Sequence, residues 1–466
     1  MGGLTESRFS GRRVHFIGIG GCGMSGLARM LLDGGALVSG SEPKPNAQTM
    51  ELARRGIRIS RDQLGELLGR EVDLVVRTAA VKDDNPEYRA AAKYGLKTIK
   101  YAELLGQVMQ ERFGIAIAGT HGKSTTTAMT AYALLKCGAD PSFVVGGTVP
   151  QLGGGSHSGK GNVFVAEACE FDRSFHNLRP RVAVITNIEE DHLDCYTDIQ
   201  EIVESFRNFA RLVPADGVIL ANAADRRVLQ AVSGLMSPVQ TVAVGTEADW
   251  STSIKGIDNG CYRGEIRHQG KPAGALRLAV AGEHNLFDAT MAVAACAACG
   301  VDPTRAADAL ADFAGVDRRM SEVGRFNGAA IVDDYGHHPT EIRTTLIALR
   351  QKYSPQRLFC VFQPHQHSRT RLLLDDFAAS FAEATLTIVP EIYSVRDSEV
   401  ERKRVSAAEL VRRITASGQQ ALHIPEFGKI VEHLRHELRP GDLVVTMGAG
   451  NVWEVGQSLI NGDPST

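Results

Sequence analysis

No run of apolar residues in this chain approaches the roughly 18 residues that a membrane-spanning helix requires, so no membrane partner is expected. Charge of one sign is equally lacking. Lys and Arg number 51 against 54 Asp and Glu, and the net charge of −3 offers nucleic acid no basic surface. The start, MGGLTESRFSGRR, has no apolar signal core, and Glu6 breaks the myristoylation pattern that Gly2 begins, so a cytoplasmic protein is expected. Cysteines are scattered: of eight, only Cys296 and Cys299 form a close pair, inside ATMAVAACAACG. No second ligand pair follows at the spacing of a zinc knuckle, and the alanine-rich run reads as a buried helix. Short-period repeats and low-complexity tracts are absent too. What is present is 466 residues, 43% hydrophobic and 23% charged, too long for one ordinary core. Such a length predicts about three domains.

The most informative stretch runs from Phe113 to Leu135. Phe113 to Ala118 is an apolar run of strand length, Gly119-Thr120-His121-Gly122 a glycine-bounded turn, and Lys123-Ser124-Thr125 the start of a helical pattern. A strand that feeds a helix through such a turn aims backbone N–H groups and the positive helix end at one point, where an anion is stabilised. Lys123 can neutralise outer phosphate oxygens, and the Ser124 hydroxyl is placed for Mg²⁺. Ile117 stands where the full G-x-x-x-x-G-K-[ST] pattern has glycine, so the loop is a short form. ATP or GTP binding is the expectation.

Upstream, strand and helix signals alternate. Gly18, Gly20 and Gly23 satisfy G-x-G-x-x-G after a strand from Arg13, and Ser41-Glu42 follows the next strand. Taken alone, the pattern fits NAD(P), another diphosphate-bearing nucleotide, or a close helix–strand crossing. Downstream of the phosphate loop, strand-like stretches run into EACEFDRSF and TNIEEDHLD, placing Glu167 and His192 just past strand ends. Oxygen and imidazole ligands there suit a hard divalent cation touching phosphate, while Glu167 and Glu170 as exposed turn acids and His192 as a helix-start residue are the plain reading. Residues 243–278 read as a small antiparallel insertion, and Gly282-Glu283-His284-Asn285 offers a histidine face and an amide for a purine, or an ordinary helix cap. In the last third, strands end in DDYGHHPTEI and QPHQHSRTR, whose arginine suits a carboxylate.

The expected architecture is therefore α/β in three domains. Residues 1–108 form an N-terminal Rossmann-like domain, 109–316 a central P-loop ATPase-like parallel sheet with the antiparallel insertion, and 317–466 a C-terminal Rossmann-like domain. A phosphate loop in the middle unit alone, flanked by two units that deliver substrates, reads as an ATP-driven joining reaction.

The segments GIGGCGMSGLA, SGSE, GTHGKSTTT, EACEFD, TNIEEDHLD, GEHN, DRRM, VDDYGHHPTEI and FQPHQHSRT together resemble the Mur ligase family, over essentially the whole chain. DDYGHHPTE and GIGGCGMSG resemble its alanine-adding branch most. The resemblance implies an acyl-phosphate ligase of peptidoglycan precursor synthesis, using ATP with Mg²⁺, for which Mn²⁺ can substitute, to join L-alanine to UDP-N-acetylmuramate. It implies a monomer or weak homodimer.

Carried over by motif, the resemblance puts the UDP-sugar at Gly18, Gly20, Gly21, Cys22, Gly23, Met24, Ser25, Ser41 and Glu42. ATP falls at Gly119, Thr120, His121, Gly122, Lys123, Ser124 and Thr125, with His284 and Asn285 at adenine, Arg319 at the phosphates and Asp334 at ribose. Ser124, Glu167 and His192 are the implied metal ligands. His337, His338 and Arg369 are the implied alanine site, and Lys123, Glu167, His192, His338 and Arg369 the catalytic set. Departures from the family pattern include Cys169 and Glu42, each in place of aspartate, and Gln366 where a second arginine is common. The last predicts altered alanine binding through Arg369 with neutral donors.

Overall fold

The structure, a computed structural model, describes residues 7–78 and 80–461. The stretch holding Gly2 and Glu6 lies outside them. Among the described residues, three sheets organise the chain. The first has five parallel strands in the order Arg58–Ser60, Leu37–Ser41, Arg13–Ile17, Leu74–Arg77, Thr98–Lys100. Its order reverses beside Arg13–Ile17, so the glycine turn after Ile17 opens at the crevice where such sheets take ligands.

The central sheet has ten strands, with Phe113–Ala118 between Val163–Glu167 and Val182–Ile185. Residues Gly114 to Ala118 are buried, as an apolar strand covered on both faces requires. The expected insertion is antiparallel, formed by Trp250–Asp258, Cys261–His268 and Lys271–Ala281. It does not stand apart: Trp250–Asp258 pairs in parallel with Val239–Val244, so the three strands extend the central sheet at its edge. Helix Lys123–Lys136, which follows the phosphate loop, packs against helix Glu283–Ala298. Small and hydroxyl side chains make that approach close; Thr126, Thr130, Ala289 and Ala292 are completely buried. The Cys296 thiol points at the Thr130 carbonyl, at 3.8 Å, inside this contact.

The third sheet runs Ser321–Phe326, Ala329–Asp334, Leu443–Met447, Leu358–Phe362, Leu386–Val389, Ala421–His423, with the first strand antiparallel to the rest. Ala329–Asp334 and Leu358–Phe362 point the same way, so DDYGHH and QPHQHS leave the same end of the sheet. Helix Pro339–Tyr353 begins with proline, which needs no N–H partner there, and the His338 ring accepts the N–H of Thr340 as its cap.

Candidate active site

The phosphate loop closes on glycines that nothing else could replace. Gly119 adopts φ +145°, and a Cβ there would strike the Thr186 hydroxyl. Gly122 caps the helix at φ +80°, with Asp288 Oδ1 2.6 Å from where its Cβ would stand. The neighbouring strand end fastens the loop: Asn187 Oδ1 accepts the His121 N–H at 2.7 Å, and Thr120 Oγ1 accepts that of Glu189 at 2.9 Å. Lys123 donates to the loop carbonyls of Gly119 and Thr120 and to Glu170 Oε1 at 3.0 Å. Burial works against its charge, and the Glu170 carboxylate more than offsets that, raising its pKa.

Ser124 and Glu167, 43 positions apart, are brought together. The Ser124 hydroxyl donates to Glu167 Oε2 at 2.8 Å, and the same oxygen accepts the Gly146 N–H. His192 sits in a left-handed backbone turn, φ +53°, with Nε2 3.8 Å from Glu170 Oε1. Glu170 Oε2 and His192 Nδ1 are buried with no hydrogen-bond partner among the described residues. Such orphaned atoms beside a hydroxyl and two carboxylates fit a divalent cation with oxygen-rich ligation. Sequence reasoning named Ser124, Glu167 and His192 as ligands and weighed Glu170 only as an exposed turn acid, whereas it is buried.

His284 and Asn285 stand in the first turn of helix Glu283–Ala298. They line a cavity of about 200 Å³ with Ser124, Thr125, Phe287, Asp288, Arg319 and Asp334. Burial drops the His284 imidazole to about 4, helped by Arg319, so the ring is neutral at physiological pH. Burial lifts the Asp288 carboxyl to about 7. Asp334 Oδ1 and Oδ2 accept the N–H groups of Gly336 and Met320, at 2.7 and 2.8 Å, so both oxygens already have backbone partners.

The C-terminal sheet meets the central one over Glu189 to Asp194. Arg369 places Nε and Nη2 on Asp191 Oδ1, at 3.0 and 2.6 Å, and Nη1 faces His365. Burial alone would raise the Asp191 carboxyl; Arg369 outweighs it and holds the group well below the usual range. His337 Nε2 is 4.0 Å from Asp191, and its ring, pushed down to about 3 by burial, is neutral. The His338 ring faces the Glu190 carbonyl at 3.2 Å, and Thr340 donates to Glu189 at 2.6 Å. Lys123, Ser124, Glu167, His192, His337 and Arg369 all line one cleft of about 470 Å³. Gln366 does not join them. It is 2% exposed, has φ +71°, and its amide donates to the Val395 carbonyl.

At the N-terminal turn, Gly18, Gly20 and Gly21 precede helix Cys22–Asp33, whose Met24 and Ser25 are buried. Glu42 Oε2 accepts the Gly20 N–H at 3.2 Å, and the Tyr101 hydroxyl lies against Gly23. Ser41 is turned inward: its hydroxyl is completely buried against Glu87, which also holds His15 at 2.9 Å. Of the two residues expected at the nucleoside, Glu42 is at the turn and Ser41 is spent on an inner polar network that the sequence did not reveal. Burial pushes the Cys22 thiol up, in keeping with a packing role.

Three α/β sheets, with a phosphate loop in the middle one and a third body closing on its strand ends, define a nucleotide-using ligase architecture. Three family models match: "Mur ligase family, catalytic domain" over residues 13–113, "Mur ligase middle domain" over 117–296 and "Mur ligase, glutamate ligase domain" over 318–450. The chain belongs to the Mur ligase family, and it is an enzyme of the ligase class.

Among its relatives, the UDP-N-acetylmuramate–L-alanine ligase of Caldanaerobacter subterraneus is 40% identical over 452 residues, 96% of this chain and 97% of the relative. That of Acetivibrio thermocellus is 40% identical over 460 residues, 98% of this chain and 97% of the relative. The crystal structure of UDP-N-acetylmuramate-alanine ligase from Thermotoga maritima matches with a TM-score of 0.78 at 25% identity, covering 96% of this chain and 98% of that one. A murein peptide ligase from Psychrobacter arcticus matches at 0.70 and 27%, with coverage of 96% and 98%.

Proposed function

We propose that the enzyme joins L-alanine to the lactyl carboxylate of UDP-N-acetylmuramate at the expense of ATP, in the cytoplasmic assembly of peptidoglycan precursors. Full-length relatives of that name support the substrate pair. The observation that carries the reading is the single cleft in which phosphate-loop residues face His337 and Arg369 of the C-terminal body.

Residues 1–108 take the UDP-sugar, its diphosphate on the turn from Gly18 to Ser25. Residues 109–316 take ATP, with the base at His284 and Asn285 and the phosphates on the loop from Gly119 to Thr125. Arg319 reaches the same phosphates. Residues 317–466 take L-alanine beside His337, His338 and Arg369. The lactyl carboxylate attacks the γ-phosphorus and ADP leaves; the alanine amine then attacks the acyl carbon, and the tetrahedral intermediate expels phosphate. Phosphorylation is needed because a carboxylate is a poor electrophile and an oxide is a poor leaving group. Lys123 exchanges its loop carbonyls for phosphate oxygens, and the loop N–H groups hold the charge that builds during transfer. Ser124, Glu167 and His192, with Glu170 behind them, would hold Mg²⁺, which supplies charge neutralisation between the phosphoryl oxygens.

The test is phosphate release from Mg-ATP with UDP-N-acetylmuramate, adding nothing, L-alanine, or a tripeptide. Release with L-alanine alone, and a product heavier by one alanyl residue, is expected. Release with the tripeptide alone would move the enzyme to peptide recycling, and release with neither would refute the reading.

A further inference from the structure

His121 belongs to the phosphate loop, yet its ring is turned toward the C-terminal body. Nδ1 lies 3.4 Å from Glu341 Oε1, Nε2 lies 3.7 Å from Glu189 Oε2, and the ring centroid is 4.6 Å from that of His338. Both ring nitrogens are buried, and neither makes a hydrogen bond among the described residues. The ring is therefore held by charge between two carboxylates, one on each side of the domain contact. Burial opposes that charge, but the two glutamates prevail and lift the imidazole to about 9.

Glu341 is the hub on the far side. Its Oε2 accepts the backbone N–H groups of His337 at 2.9 Å and His338 at 3.2 Å, and its Oε1 faces Arg319 at 3.4 Å. One side chain thus connects the loop that grips phosphate with the carboxylate that sets the backbone of DDYGHHP. A metal is a poor alternative occupant. The ligand atoms of His121, Glu189 and His338 do lie within 4.8 Å of one another. However, His338 Nδ1 already accepts the Thr340 N–H and its Nε2 faces the Glu190 carbonyl, so His338 has no free lone pair to give.

We propose that His121 is a positioning residue that couples occupation of the phosphate loop to the seating of His337 and His338, through its ion pair with Glu341. The proposal rests on the ligase reading above and adds the link between its two sites. Phosphate binding fixes the loop, the loop fixes the imidazole, and the imidazole fixes Glu341 and the turn it caps. Binding linkage then makes nucleotide and amino acid tighten each other by the same factor.

Calorimetry on the full chain tests this, titrating L-alanine with and without the non-hydrolysable analogue AMP-PNP, UDP-N-acetylmuramate and Mg²⁺ being present throughout. The wild type should bind L-alanine about tenfold more tightly with AMP-PNP. His121→Gln and Glu341→Gln should each abolish that factor, the double variant should do no worse than either, and His121→Lys should restore part of it. A merely structural residue would weaken both ligands and leave the factor intact. An unchanged factor in both single variants would overturn the proposal while the ligase reading stands. Failure of the wild type to bind AMP-PNP or L-alanine would overturn both.

Discussion

Replacing Lys123 by alanine should do two separable things, because the ammonium has a structural partner as well as a chemical task. Its partner, Glu170, is 3% exposed, and Lys123 Nζ sits 3.0 Å from Oε1. His192 is the next cation-capable group, at 3.8 Å. Removing one member of a buried pair leaves a charge without compensation and costs about 3–5 kcal/mol. At about 2–4 °C per kcal/mol for a unit of this size, Lys123→Ala should unfold about 6–20 °C below the wild type. Adding Glu170→Gln removes the stranded charge, so most of that loss should return in the double variant. Activity should not. Loss of the cation at the transferring phosphoryl group should depress kcat by about 10²–10³-fold or more in both variants. Scanning calorimetry and ADP release, run on the two variants and the wild type, check both halves. Recovery of turnover in the double variant would refute the assignment of Lys123 to phosphate, and an unshifted melting temperature in Lys123→Ala would refute the burial argument. UDP-sugar affinity, measured by titration, should stay near the wild-type value in either case, since the site proposed for it lies on another sheet.

The His121 contact predicts a pH dependence. Its folded value of about 9 lies above the ordinary 6.5, so its contribution to stability is complete below pH 6.5 and is lost as pH rises through 9. The difference in melting temperature between wild type and His121→Gln should therefore shrink from pH 7 toward pH 10; a constant difference would contradict the imidazolium. Gly20→Ala would put a methyl 2.7 Å from Glu42 Oε2, so UDP-sugar affinity should fall while AMP-PNP binding holds, both read by calorimetry. Gln366→Arg should lower the melting temperature and leave the alanine KM unchanged, because the side chain is buried against the Val395 carbonyl rather than in the cleft. An altered KM would restore the role that sequence resemblance gave that position.

The phosphate loop was legible in the sequence because everything that makes it is local: an apolar run, two glycines, a lysine and a hydroxyl within twelve residues of Phe113. The strand Phe113–Ala118 has the bounds that the pattern predicts. Short edge strands were not legible. Arg58–Ser60 and Ala421–His423 have three residues each, and Ser321–Phe326 carries Glu322 and Arg325 on an edge, so none shows the alternation of a half-buried strand. Within the candidate site, Glu167 and His192 could be singled out because they follow strand-like runs, and the cleft places both beside Lys123. Glu341 could not: an acid in a helix's first turn has a sufficient local explanation, and only the fold brings His121 to it. Asp191 was hidden for a similar reason. Its sequence neighbours are acids, and the guanidinium that it holds lies 178 residues away. Ser41 and Gln366 were given a place by resemblance to a motif, which records position along the chain but not the direction in which a side chain turns.

The close seating of helix Lys123–Lys136 on helix Glu283–Ala298 has a consequence for the geometry of the proposed nucleotide site. One helix begins at the phosphate loop and the other at His284 and Asn285, and their contact is made of small, fully buried side chains with no slack to give. The span between the cavity at His284 and Asn285 and the phosphate loop is therefore set when the central unit folds, like the jaws of a gauge locked at one opening. On the proposed reading, that fixed span would set the distance from base to phosphate loop for ATP and for the ADP that the reaction leaves alike.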